Sequence, residues 1–116
     1  DLGVKYILAK DIVEPNFEQV STELNQFIDK QQHIYLTICS DLFNSANAPG
    51  VSAQQPFGMN PEVVLKYIKE VLDSGKVISL DIAEVSPRLD QDDRTAKLAA
   101  IIIYAVINNL AEKLDM

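Results

Sequence analysis

Two short acidic clusters are the residues of this sequence best suited to chemistry. Cys39-Ser40-Asp41 ends and follows the run His33 to Cys39 (HIYLTIC), and Asp81-Ile82-Ala83-Glu84 closes and follows the run Lys76 to Ala83 (KVISLDIA). Carboxylates are the side chains that hold hard metal ions and pair with cationic groups. Each residue also has a plain structural alternative. Asp41 can cap a turn, Cys39 can be a compact buried residue at a strand end, and Glu84 can be a solvated loop residue. Which reading holds depends on where the surrounding elements put these side chains.

Those elements alternate. Val4 to Ala9 (VKYILA) is rich in strand formers. Asn16 to Lys30 carries Phe17, Val20, Leu24, Phe27 and Ile28 at spacings of three and four, the signature of one helical face. His33 to Cys39 is a second strand, apolar enough for burial on both faces. Ser40 to Met59, with Pro49, Gly50 and Pro56, has no period, and an irregular stretch of that length is expected to be functional or disordered. Asn60-Pro61-Glu62 opens a helix with a cap, a proline in the first turn and an acid on the positive end of the dipole. Val64, Leu65, Ile68, Val71 and Leu72 form its apolar face, and Gly75 ends it. Lys76 to Ala83 is the third strand. A polar loop, Ser86 to Asp93, leads into a last helix, Arg94 to Lys113, with Asp92 or Asp93 as its cap. Its apolar residues Leu98, Ile101, Ile102, Ala105 and Ile107 are expected in the core or in a subunit contact.

The order β-α-β-α-β-α implies parallel strands with helical crossovers. Ligands of such sheets bind beyond the carboxyl ends of the strands. Two parallel strands deliver Asp41 and Glu84 to the same edge, so the pair is expected to face one crevice.

Composition narrows the function classes. The 116 residues suit one domain, and 47% are hydrophobic, as a globular core requires. The formal charge of −7, from 10 basic and 17 acidic residues, argues against a nucleic-acid partner. No apolar run reaches about 18 residues, so no membrane span and no membrane partner are expected; the longest stretch, Leu98 to Ile107, falls short. No leader pattern is present. The single cysteine, Cys39, excludes an internal disulfide and suits a reduced, cytoplasmic setting. The chain opens on Asp1 rather than Met, as expected of a segment of a longer protein. His33 reads as a strand-entry residue without a role. Arg88 and Arg94 either grip a substrate carboxylate or pair on the surface with Asp90, Asp92 or Asp93.

The segment Thr37 to Gly50, T-I-C-S-D-L-F-N-S-A-N-A-P-G, resembles the metal motif of the ureohydrolase (arginase and agmatinase) family, S-x-D-x-D-x-x-D-P followed by A-P-G. Val51 to Asn60 (VSAQQPFGMN) is similar to that loop in the formimidoylglutamase branch of the family. Asp81 to Ala100 (DIAEVSPRLDQDDRTAKLAA) resembles its closing D-x-x-E-x-x-P segment and T-A-x-L-A-A helix. The resemblance implies a three-layer α/β/α fold with a parallel sheet, of which residues 1–116 are the C-terminal part. It implies a pair of Mn²⁺ ions, a small amidine substrate and a homo-oligomer. By position, Asp41 matches a metal ligand, Cys39 matches the bridging aspartate, Asn44 matches a third acid that shapes the loop, and Glu84 matches the glutamate that meets the cationic end of the substrate.

Two motif acids are therefore replaced, and Mn²⁺ prefers oxygen to sulfur. The family's G-x-x-H and D-A-H-x-D segments do not occur here, so the chain alone is expected to hold an incomplete and inactive site. The branch resemblance implies hydrolysis of N-formimidoyl-L-glutamate to L-glutamate and formamide, in histidine breakdown. The alternatives are arginase or agmatinase activity, or a non-catalytic relative. A phosphoacceptor receiver domain has similar length and alternation, but needs an acidic pair after its first strand, where Lys10-Asp11 supplies one acid.

Overall fold

A computed structural model of the protein describes residues 2–115; Asp1 and Met116 lie outside the described residues. The chain folds as three helices and a two-stranded parallel sheet. In chain order these are α1 (Phe17–Asp29), β1 (Ile34–Cys39), α2 (Pro61–Asp73), β2 (Val77–Ala83) and α3 (Arg94–Lys113). The α/β class and the parallel pairing are those expected from the alternation. The register runs from Ile34 opposite Val77, through Thr37 opposite Asp81, to Cys39 opposite Ala83, with one irregularity between Ile34 and Tyr35. Both strands therefore finish together.

One expected strand does not form. The stretch Val4 to Ala9 has no ladder and is followed by a short 3-10 turn at Ala9–Asp11. Its residues are solvent-facing, with Tyr6 80% exposed. Strand-forming side chains favour extended backbone, but a strand needs a neighbour for its N–H and C=O groups. Among the described residues no element supplies one.

The core lies on one side of the sheet. Ile38 packs with Phe43, Ala48 and Met59 of the long loop, Val64, Ile68 and Leu72 of α2, and Ile102 and Val106 of α3. Leu36, Leu80 and Ile82 join from the same sheet face. By strand alternation Thr37, Cys39 and Asp81 point to the other face, where Tyr35 is 59% exposed and Thr37 Oγ1 donates to Asp81 Oδ1 at 2.6 Å. So β1 is covered on one face, where burial on both was expected. The helical layer over one face is in place, and the opposite face is open.

The helices follow their patterns. Asn60 caps α2 by accepting from Glu62 N–H at 2.8 Å, and Gly75 takes a left-handed φ of 71° just after it. Ser21 and Asn25 of α1 hydrogen-bond Glu70 of α2, the serine at 2.8 Å. Lys113 of α3 donates to the Leu72 carbonyl at the end of α2. By length and composition α3 is long and apolar enough to cross a membrane, which the run from Leu98 to Ile107 alone did not suggest. Its buried Thr95, Ile102 and Val106 instead place one face in the protein core.

Candidate functional site

The chain beyond β1 turns at once into a 3-10 turn, Ser40–Leu42, which carries Asp41. Beyond β2, Glu84 stands at φ 67°, a left-handed conformation that non-glycine residues rarely adopt. Cys39 and Ala83 are register partners, so the two acids leave the sheet from the same edge. The Cys39 thiol is influenced by both. Its pKa is raised, first by hydrogen bonding to the Asp41 carboxylate, then by burial, with the charges of Asp41 and Glu84 adding to the shift against a lowering backbone hydrogen bond. The thiol is thus kept protonated. Asp41 and Glu84 thus follow strand ends that lie side by side, and the charges of both reach the Cys39 thiol; His33 is exposed at the opposite end of β1.

The long loop, residues 40–60, is braced rather than loose. Asn44 N–H donates to the Met59 carbonyl at 3.0 Å, Met59 N–H to Leu42 at 2.8 Å and Ser45 N–H to Gln55 at 2.9 Å. The Asn44 side chain accepts from Asn47 N–H at 3.1 Å and donates to Met59 O at 3.3 Å. It shapes the loop. Phe43, Ala48 and Val51 are at most 1% exposed and anchor it in the core. A Cβ on Gly58 would meet the Phe43 carbonyl carbon at 2.5 Å, so the close approach of the two loop limbs demands glycine there.

A second clasp joins this loop to the segment after β2. Ser86 N–H donates to the Gly50 carbonyl at 2.7 Å, and Gly50 N–H donates to Thr95 Oγ1, itself buried, at 2.8 Å. Arg94 Nη1 donates to Ala46 O at 3.0 Å. Arg94 therefore braces the loop and does not pair with Asp90, Asp92 or Asp93; among the described residues the ion pairs are Lys69 and Lys113 with Asp73.

The expected cap of α3 is also corrected. Asp93 precedes the helix but, like Asp92, sits at positive φ and makes no side-chain cap bond. Asp90 does that work from further upstream, accepting from Thr95 N–H and Ala96 N–H at 3.1 Å. Burial works to raise its carboxyl, but hydrogen bonds from Thr95, Ala96 and Gln91 outweigh it and hold it below the ordinary value of 3.8. Nearest-acid reasoning missed this, because the bond spans a turn whose path no local pattern reveals.

The donors present do not by themselves fit a pair of manganese ions. Asp41 offers hard oxygen, whereas Cys39 offers soft sulfur. Among the described residues no group of three His, Cys, Asp or Glu side chains is arranged to hold a metal ion. A cavity of about 750 Å³ lies between residues 3–7 and α1, and neither Asp41, Cys39 nor Glu84 lines it. What the edge presents by itself is two carboxylates carried by segments that leave neighbouring strand ends.

The chain matches the arginase family over residues 1–108. It is 51% identical over 111 residues to the formimidoylglutamase of Clostridium tetani, covering 96% of this chain and 33% of that protein. It is 44% identical over 108 residues to the formimidoylglutamase of Legionella pneumophila, covering 93% and 34%. The crystal structure of formimidoylglutamase from Bacillus subtilis superposes with a TM-score of 0.83 at 26% identity, over 92% of this chain and 34% of that one. The chain thus spans about a third of the length of the curated relatives it matches.

Proposed function

Because the chain belongs to the arginase family, we propose that it is the C-terminal portion of a manganese-dependent hydrolase that cleaves N-formimidoyl-L-glutamate to L-glutamate and formamide, in histidine breakdown. The observation that supports this reading is the register that ends both strands together, Cys39 opposite Ala83, so that Asp41 and Glu84 leave the sheet from one edge. The choice of substrate within the family is supported by the similarity to formimidoylglutamases across nearly the whole chain.

In this reading Glu84 faces the cationic amidinium of the substrate. Pairing a fixed carboxylate with a planar N–H₂ fork orients the carbon that is to be attacked. Asp41 is the one hard oxygen donor in this chain placed to hold a metal ion. Cys39 occupies a bridging position for which sulfur is a poor match. The remaining ligands belong to polypeptide outside this chain, so residues 1–116 alone carry no hydrolase activity. The whole enzyme is a cytoplasmic homo-oligomer in this proposal.

A second reading is favoured by Cys39 itself: a ureohydrolase relative that has lost catalysis. The discriminating experiment takes the complete protein containing this chain, loads it with Mn²⁺, measures bound metal and assays formimidoylglutamate, arginine and agmatine. Formamide release from the first substrate is expected to dominate. Urea from arginine or agmatine would replace the substrate assignment, and absence of both bound metal and turnover would establish the non-catalytic reading.

A further inference from the structure

The clasp between the two segments leaving the sheet has a consequence for Glu84. The Ser86 N–H to Gly50 carbonyl bond, 2.7 Å long, fixes one pair of residues. Two positions away on each side stand Ser52 and Glu84, and there the Ser52 hydroxyl donates to Glu84 Oε2 at 3.5 Å. That distance is at the outer limit of a hydrogen bond, yet neither backbone is free to drift. Val51, next to Ser52, is 1% exposed and locked in the core. Gly50 is held from both sides, its N–H on Thr95 Oγ1 and its Cα against the Asp90 side chain. Glu84 is held in the left-handed region at φ 67° by the turn it makes off β2. The backbone of Glu84 is thus placed by a strained turn, and its exposed carboxylate has one hydroxyl from another loop within reach.

We propose that Ser52 is a positioning residue: its hydroxyl holds Oε2 of Glu84 and leaves Oε1 directed at the cationic group of the substrate. The inference rests on the proposed role of Glu84 as substrate carboxylate. A carboxylate free to rotate spends part of its time turned away from an amidinium, and each turn-away weakens ground-state and transition-state binding alike. Loss of Ser52 therefore raises KM more than it lowers kcat. The hydroxyl is polar and exposed, so its removal leaves no cavity in the core.

The test uses the complete protein containing this chain, with formimidoylglutamate as substrate and the variants Ser52→Ala, Ser52→Thr, Glu84→Gln and Ser52→Ala/Glu84→Gln. The expected result is a rise in KM of about fivefold for Ser52→Ala with kcat within about twofold, as the loss of one long, solvent-exposed hydrogen bond implies. Ser52→Thr, which keeps the hydroxyl, restores KM to within about twofold. The double variant is no worse than Glu84→Gln, because the serine acts through the glutamate. An unchanged KM in Ser52→Ala, or a full additional loss in the double variant, overturns the positioning role while leaving the Glu84 reading intact. Unimpaired turnover by Glu84→Gln, or no turnover by the parent protein, overturns that reading and the inference with it.

Discussion

Residues 4–9 and 34–39 are six-residue runs of similar composition, VKYILA and IYLTIC, yet one is solvated chain and the other a paired strand. Neither β-propensity nor hydrophobicity separates them. What does is the ladder offered by β2 and the closed core with α2 and α3, which reward Leu36 and Ile38, whereas Tyr6 faces α1 across an open cavity and stays 80% exposed. Side-chain type proposes a strand, and a neighbour makes it. The same contrast marks the candidate site: Asp41 and Glu84 leave one edge because two paired strands end together, and buried residues beyond them tie down the departing loops.

The largest expected effect sharpens that contrast. Phe43→Ala removes a ring that is 1% exposed and should cost about 4 kcal/mol of stability in the complete protein. Tyr6→Ala should stay within about 0.5 kcal/mol. Denaturant unfolding checks both, and a large Tyr6 effect would mean that residues 4–9 are packed in the complete protein. Next is Gly58→Ala, whose Cβ would be 2.5 Å from the Phe43 carbonyl carbon. Backbone cannot yield as a flexible side chain does, so about 3 kcal/mol of destabilisation is expected together with loss of activity. Asn60→Ala removes the cap bond to Glu62 N–H and should cost about 1 kcal/mol with activity retained.

The smallest effect is a pH dependence. The Asp90 carboxyl is held below its ordinary 3.8. Its contribution to stability is therefore complete above that value and fades as pH falls through the lower folded value. Asp90→Asn should lower stability at neutral pH and flatten the acid limb of the unfolding midpoint below 3.8. An unchanged acid limb would show that other groups cap α3.

Much of this was legible in the residues. Asn60-Pro61-Glu62 marks the start of α2 within a residue, Arg94 to Lys113 gives both ends of α3, and the two acidic strand ends point to the edge where the site lies. Local signals sufficed because caps, glycines and apolar spacing act over a turn or two. The brace from Asp90, the anchoring of Gly50 on Thr95 and the reach of Ser52 to Glu84 were not legible. The first spans five and six residues and the other two join residues far apart in sequence, and all depend on the path of an irregular loop, which has no period to read. The strand at residues 4–9 failed for the complementary reason: its pattern is local, but its partner has to be supplied from elsewhere.

The proposed hydrolase requires Asp41 and Glu84 to serve one site in different capacities. The direct measurement is bound manganese and formimidoylglutamate turnover in the complete protein and its Asp41→Asn and Glu84→Gln variants. Glu84→Gln should keep its metal and lose turnover about 100-fold or more, as loss of a charged partner implies, whereas Asp41→Asn should lose metal and turnover together. Wild-type metal content in Asp41→Asn with wild-type turnover in Glu84→Gln would contradict it.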